Sequence, residues 1–294
     1  MITAAQLPGW LRELYPFEPR SFETQHGRMS YLDEGAGDEA VVMVHGNPTW
    51  SFYYRNLVLG LRGRIRCIVP DHLGCGLSDK PQDFDYTLGN HIRNLQALLD
   101  RLQLRRIHLV VHDWGGPIGL GAMLPQAGRL GKVVILNTAA FADTRIPLRI
   151  RLCRLPLFGE LLVRGLNGFA WPATWMAVMK PLSDAVKRGY LFPYDSWANR
   201  IAVHRFVRDI PMGRGSDSDA VLAEIERLLP ELLTKEVRIL WGGADFCFEQ
   251  HYYSQWRELL PGSHSQYWAE AGHYVLEDAA MECLTELKGT FKGY

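Results

Sequence analysis

The 294-residue chain holds 32 basic and 32 acidic side chains, with 47% of residues apolar and 22% charged. A zero formal charge with no long single-sign run argues against a nucleic-acid partner, and the length accommodates one large domain plus an insertion. No apolar run approaches the roughly twenty residues of a transmembrane segment, and Met1–Pro8 shows neither basic nor apolar leader character. The five cysteines are odd in number and lack C-x-x-C spacing, which fits free thiols in a cytoplasmic protein and neither a disulfide framework nor a zinc site. Phosphate-loop, dinucleotide and H-E-x-x-H signatures are missing, so neither a cofactor nor a metal is expected.

In chain order, Ser21–Leu32 reads as a hairpin joined at Gln25-His26-Gly27, and strand Val41–Val44 runs into His45-Gly46-Asn47-Pro48-Thr49-Trp50. Strand Ile65–Val69 is followed by a glycine-rich loop, Asp71–Asp79, taken as structural and not as a phosphate cradle. Ile92, Leu95, Leu98, Leu99 and Leu102 recur at helical spacing within Leu88–Leu104. Strands Ile107–Val111 and Val133–Leu136 come next. Strands alternating with helices imply parallel β-α-β units covered on both faces. From about 142 to 213 the chain turns helical, aromatic and proline-punctuated, and Gly213–Asp219 reads as a linker. Alternation resumes with helix Ala220–Leu233, strand Val237–Trp241, helix Tyr252–Leu260 and strand Ser265–Trp268. The expected architecture is an α/β core over 1–141 and 214–294, with a mostly parallel eight-stranded sheet and a helical cap over 142–213 inserted between the sixth and seventh strands.

The chemistry centres on Val110-Val111-His112-Asp113-Trp114-Gly115-Gly116. A strand turning sharply into a helix of small residues exposes the side chain at the turn, as in the nucleophile elbow of α/β-hydrolases. An aspartate there is already ionised near neutral pH, since a free carboxyl has a pKa of about 4, and it suits displacement at carbon to leave an ester on the enzyme. Asp245 ends the seventh strand, and His273 follows in Ala271-Gly272-His273-Tyr274. The order Asp113, Asp245, His273 is the hydrolase order of nucleophile, acid and histidine. His273 would activate water and Asp245 would orient it. The loop after the third strand and the residue after the nucleophile supply oxyanion amides in this fold, which selects Asn47 and Trp114. Their carboxamide and indole add neutral N–H donors for a departing halide or oxyanion.

The combination of His-Gly-Asn-Pro (His45–Pro48), His-Asp-Trp-Gly-Gly (His112–Gly116), a strand-end aspartate and a late Gly-His resembles the haloalkane dehalogenases over residues 20–290. The resemblance implies hydrolysis of carbon–halogen bonds through an alkyl ester on Asp113, with halide held by Asn47 and Trp114. With no carboxylate in Leu136-Asn137-Thr138-Ala139, the acid falls to Asp245, as in the third subfamily. Close relatives of that subfamily are the β-lactone decarboxylases of olefin synthesis, which share these residue types, and Val203–Pro211 resembles both groups. Epoxide hydrolases share the elbow and use two cap tyrosines, for which Tyr190 and Tyr194 stand as candidates, but Asn47 speaks against them. A non-catalytic binding module would have no need of the full triad.

The expected ligands are a small apolar substrate and a halide or oxyanion product, and the chain leaves room for a homo-oligomer. Arg145, Arg149, Arg151, Arg154 and Arg164 punctuate an apolar segment, Arg145–Leu166. This segment reads as an amphipathic cap helix with solvated arginines, or as a surface for an acidic partner, an anionic membrane or another subunit. Phe169, Trp171, Trp175, Phe192 and Trp197 are candidates either to line an apolar pocket or to form the cap's own core.

Overall fold

In the computed structural model, which describes residues 6–213 and 215–292, the strand-like runs assemble into one sheet in the order β1-β2-β4-β3-β5-β6-β7-β8. The hairpin is β1 (Arg20–Thr24) and β2 (Gly27–Glu34). It turns on Gly27, whose φ of 138° lies where side chains other than glycine's are strained. β2 pairs antiparallel with β4 (Arg66–Pro70), and all the remaining pairings are parallel: β3 (Glu39–Val44), β5 (Arg106–His112), β6 (Leu130–Leu136), β7 (Val237–Gly242) and β8 (His264–Trp268). The central strands read as unbroken apolar runs because both faces are covered. Val42 and Val44 enter one core layer while Val41 and Met43 enter the other.

The helices divide between those layers. On one face lie α1 (Gly9–Leu14), α2 (Arg55–Leu61) and, at the end of the chain, α12 (Val275–Asp278) and α13 (Ala280–Thr290). On the other lie α3 (Leu88–Leu102), α4 (Gly115–Met123), α10 (Asp217–Leu228) and α11 (Gln250–Leu259). The periodic face of α3 is buried as its spacing requires, through Leu88, Ile92, Leu95, Leu98 and Leu99. Each such side chain contributes about 1.5–3 kcal/mol by leaving water. α3 stops at Gln103, which takes a left-handed φ of 49°.

Two boundaries differ from expectation. The stretch read as a linker over Gly213–Asp219 is connecting chain only in part. Ser216 accepts from the Asp219 amide and Asp219 accepts from the Ser216 amide, a reciprocal cap that starts α10 at Asp217. The same helix does not run to Leu233. Pro230 lacks the N–H that would continue the α ladder, so Leu229–Thr234 tightens into a 3₁₀ turn. Between β6 and β7 the chain forms α5 (Leu148–Cys153), α6 (Phe158–Glu160), α7 (Ala170–Met176), α8 (Asp184–Leu191) and α9 (Ile201–Asp209). No described helix is long and apolar enough to cross a membrane.

Candidate active site

β5 delivers Asp113 into a turn where its φ is 51°, a left-handed conformation that costs a non-glycine residue energy and is held by its surroundings. Those surroundings leave no space. A Cβ on Gly115 would stand 1.9 Å from the Val44 carbonyl oxygen, and one on Gly46 would stand 2.1 Å from Asp113 Oδ2. Glycines on both sides are therefore what lets the strand end, the β3 loop and the start of α4 converge on one carboxylate. The Asp113 amide donates to Asn137 O at 3.1 Å, and the Thr138 hydroxyl donates to Asp113 O, which ties the turn to β6.

Asp113 Oδ2 accepts the Asn47 amide at 2.6 Å, and the Trp114 amide is a second backbone donor to the carboxyl. Burial nonetheless dominates and raises the pKa of Asp113 to about 6, with the His273 charge and the two amides opposing it. His273 Nδ1 hydrogen-bonds Asp245 Oδ2 at 2.8 Å in a buried pair. Burial works to lower the His273 pKa, but the Asp245 carboxylate, its hydrogen bond and the Asp113 charge together raise it above 6.5. The backbone carbonyl of His273 meets His112 Nε2 at 2.9 Å, and its ring stacks on Phe248 with centroids 5.8 Å apart. The three expected triad residues thus meet at the carboxyl ends of β5, β7 and β8, the place where open parallel sheets gather ligands.

Asn137 joins the site without any motif of its own in the sequence. Its Nδ2 donates to Asp245 Oδ2 at 3.0 Å and to Gly242 O at 2.9 Å, while its Oδ1 accepts the Gly242 amide at 2.8 Å. Its one sequence signal is a position at the end of β6, in a stretch that lacks a carboxylate. The carboxamide instead steadies the carboxylate that β7 provides. Asn137→Leu should leave KM nearly unchanged and lower the rate of any step that needs His273 as base by on the order of a hundredfold, the cost of a misplaced catalytic group. The pH profile of that step should shift to lower pH as Asp245 loses its hold on the imidazole. An unshifted profile and an undiminished rate of that base-dependent step would overturn the assignment.

Asn47 and Trp114 differ in how their side-chain donors are used. One Asn47 N–H donates to the Val203 carbonyl of α9 at 3.1 Å, and Asn47 Oδ1 is buried with no partner among the described residues. The Trp114 ring packs 5.2 Å from Phe206, and its indole N–H has no protein acceptor among the described residues. Above Asp113 opens a cavity of about 270 Å³, lined by Asn47, Trp114 and His273 and otherwise mainly by apolar side chains such as Phe141, Ile150 and Leu222. Of Phe169, Trp171, Trp175, Phe192 and Trp197, Phe169 alone lines it. Trp171, Trp175 and Trp197 are exposed, and Phe192 packs against Trp10. Neither Tyr190 nor Tyr194 reaches the cavity: their hydroxyls donate to Glu277 and to Thr49 O. The five cysteines are free thiols.

A sequence profile described as the alpha/beta hydrolase fold matches residues 39–280. The chain is 46% identical over 285 residues to the cis-3-alkyl-4-alkyloxetan-2-one decarboxylase of Shewanella oneidensis, covering 95% of this chain and 89% of that protein. It is 35% identical over 249 residues to haloalkane dehalogenase 2 of Mycobacterium tuberculosis, covering 80% and 81%. Among solved structures, a haloalkane dehalogenase from Bradyrhizobium elkani superposes with a TM-score of 0.85 at 22% identity, over 94% of this chain and 98% of that one, which is a likeness of fold.

Proposed function

We propose, from the premise that this chain belongs to the α/β-hydrolase family, that it opens and decarboxylates β-lactones bearing alkyl groups at C3 and C4. What carries the reading is the 46% identity to a decarboxylase of that class, which spans the elbow, the inserted helices and the late histidine alike. This reverses the order of preference drawn from sequence motifs alone. Dehalogenases and lactone decarboxylases share Asp113, Asn47 and Trp114 in type, so the motifs do not separate them.

The site's chemistry accommodates the reaction without a cofactor step. Asp113 attacks C4 of the four-membered ring, the C4–O bond breaks with inversion, and ring strain supplies part of the driving force. The freed carboxylate remains on C3. It then leaves as carbon dioxide, the C3–carboxyl electrons form the C3=C4 bond, and the bond from C4 to Asp113 breaks to restore the carboxylate. Inversion followed by anti elimination converts a cis lactone into a cis olefin, and no water is consumed. The unclaimed indole N–H of Trp114 and the remaining Asn47 N–H are donors for the departing lactone oxygen. The inserted helices over 142–213 act as a cap whose apolar lining receives the alkyl arms.

A second reading, hydrolytic dehalogenation, is favoured by the 35% relative and by the same donor pair. The purified protein should convert a cis-3,4-dialkyl β-lactone to olefin at around 1 per second or faster, within the ordinary range of enzyme rates, as followed by gas chromatography. Bromoalkane turnover, followed by halide release, should be far slower. Fast halide release beside negligible olefin would reverse the assignment, and a β-hydroxy acid product would mean attack at the lactone carbonyl instead.

A further inference from the structure

The cavity meets the surface at Arg145 and Arg149, exposed side chains that both line it. Arg149 and Ile150 line it from α5, Pro172, Ala173 and Met176 line it from α7, and Arg149 bonds Met176 Sδ at 3.8 Å across the gap. The outer faces of these same helices carry side chains that a soluble surface rarely exposes together. Leu148 is 70% exposed on α5, with Leu152 beside it, and Trp171 and Trp175 are 56% and 55% exposed on α7, edge to face with each other. Leu155, Phe158, Leu161 and Leu157, which is 85% exposed, continue from α5 through α6. Contiguous exposed apolar side chains on this scale mark an interaction site.

The charges around them have one sign. Between 145 and 180 the chain has five arginines, one lysine and a single acid, Glu160. Glu160 is already bound to Arg164, Arg145 is paired with Asp143, and Arg154 holds the carbonyls of Val207 and Ile210. Arg149 lies over the Phe246 ring, 4.4 Å from its centroid, and bonds Met176 Sδ, while neither it nor Arg151 has a carboxylate partner among the described residues. Exposed leucines and indoles beside arginines that no carboxylate pairs are the composition that sits at a lipid–water boundary, with the indoles at headgroup level and the cations against anionic lipid. A second copy of the chain fits poorly, because a self-complementary contact would set these arginines against their own counterparts.

We infer that the α5–α7 face is a docking surface for an anionic lipid bilayer, which brings the mouth of the apolar cavity to the phase in which a long-chain substrate resides. The inference rests on the patch and the cavity mouth, not on the lactone chemistry. Lipid binding and decarboxylation are therefore measured separately, and either can fail alone.

The test is co-sedimentation of the full chain with phosphatidylcholine vesicles, with and without phosphatidylglycerol. The parent protein should pellet with the anionic vesicles, less so as salt is raised, and show a blue shift of tryptophan emission. Arg151→Glu should weaken binding by about fivefold or more. The triple variant Leu148→Ser, Leu152→Ser, Trp171→Ser should weaken it by roughly tenfold or more. None of these side chains lines the cavity, so circular dichroism and turnover of a short, water-soluble substrate should be unchanged. Turnover of a long-chain substrate dispersed in the vesicles should fall. A parent protein that stays in the supernatant, or a triple variant that binds as the parent does, would overturn the inference. So would a parent dimer that the triple variant dissociates, since a second copy would then cover the face.

Discussion

The Asp113→Asn protein should be inert toward lactone and bromoalkane alike, and yet more stable than its parent above neutral pH. An amide has no anionic oxygen with which to attack C4, so neither olefin nor alkyl adduct should form. The stability effect has the opposite sign to that of most active-site losses. Asp113 has a folded pKa of about 6, above the value of about 4 for a free aspartate. The fold thus disfavours its ionised form, and the destabilisation is absent below about pH 4, grows as pH rises through 6 and levels off near 3 kcal/mol. Thermal unfolding should show the variant ahead of the parent at about pH 8 and level with it at about pH 4. For the same reason the first chemical step of the parent should fade below about pH 6 as the nucleophile is protonated. A variant less stable than the parent at the higher pH would mean that the carboxylate's hydrogen bonds to the Asn47 and Trp114 amides outweigh its burial.

His273→Phe should split the two chemistries. Hydrolysis of an alkyl ester needs a base, so with a bromoalkane the variant should stop after one event and intact-mass measurement should find one alkyl group on the protein. Collapse of the ring-opened lactone to olefin takes no water, so the same variant should go on making olefin, slowed far less than its halide release. The parent's electrostatics set the timing. The anion of Asp113 helps to raise the His273 pKa, so esterification of Asp113 removes that support and leaves the imidazole readier to act as a base. Equal loss of both activities would show that His273 serves the attack on carbon as well, and the water-free collapse would have to be abandoned.

The elbow was legible because its signals are local: a buried strand, an abrupt turn and glycines that admit the neighbouring loop. Asp245 and His273 were legible through chain order and strand ends. Asn137 was not, because a carboxamide steadying a carboxylate leaves no pattern in a single sequence, and its partners Gly242 and Asp245 are more than a hundred residues away. The use of one Asn47 N–H on Val203 was hidden for the same reason. The exposed indoles were misplaced by a rule that is sound on average, that large aromatics are buried. Only the packing of α7 shows Pro172 and Met176 turned inward and Trp171 and Trp175 turned out. The motif residues do not separate halide from lactone, since both groups share them in type, and the proposed reading rests on similarity along the whole chain.

The threads between the inserted helices and the core bear on how such enzymes diversify. The Val203 carbonyl takes an Asn47 N–H, Asp209 takes the Leu88 amide at the start of α3, and the Ala177 carbonyl takes the Tyr274 amide next to His273. Asp278 in turn binds the amides of Met179 and Lys180. Each joint is a backbone group on one side and a fixed partner on the other. An exchange of this insertion for a foreign one would therefore strand the donors of Asn47, Leu88 and Tyr274 and the Asp278 carboxylate unless the newcomer brought matching partners to the same points. Substrate range in this lineage is then freer to drift by substitution along the inner faces of the existing helices than by wholesale replacement of the segment.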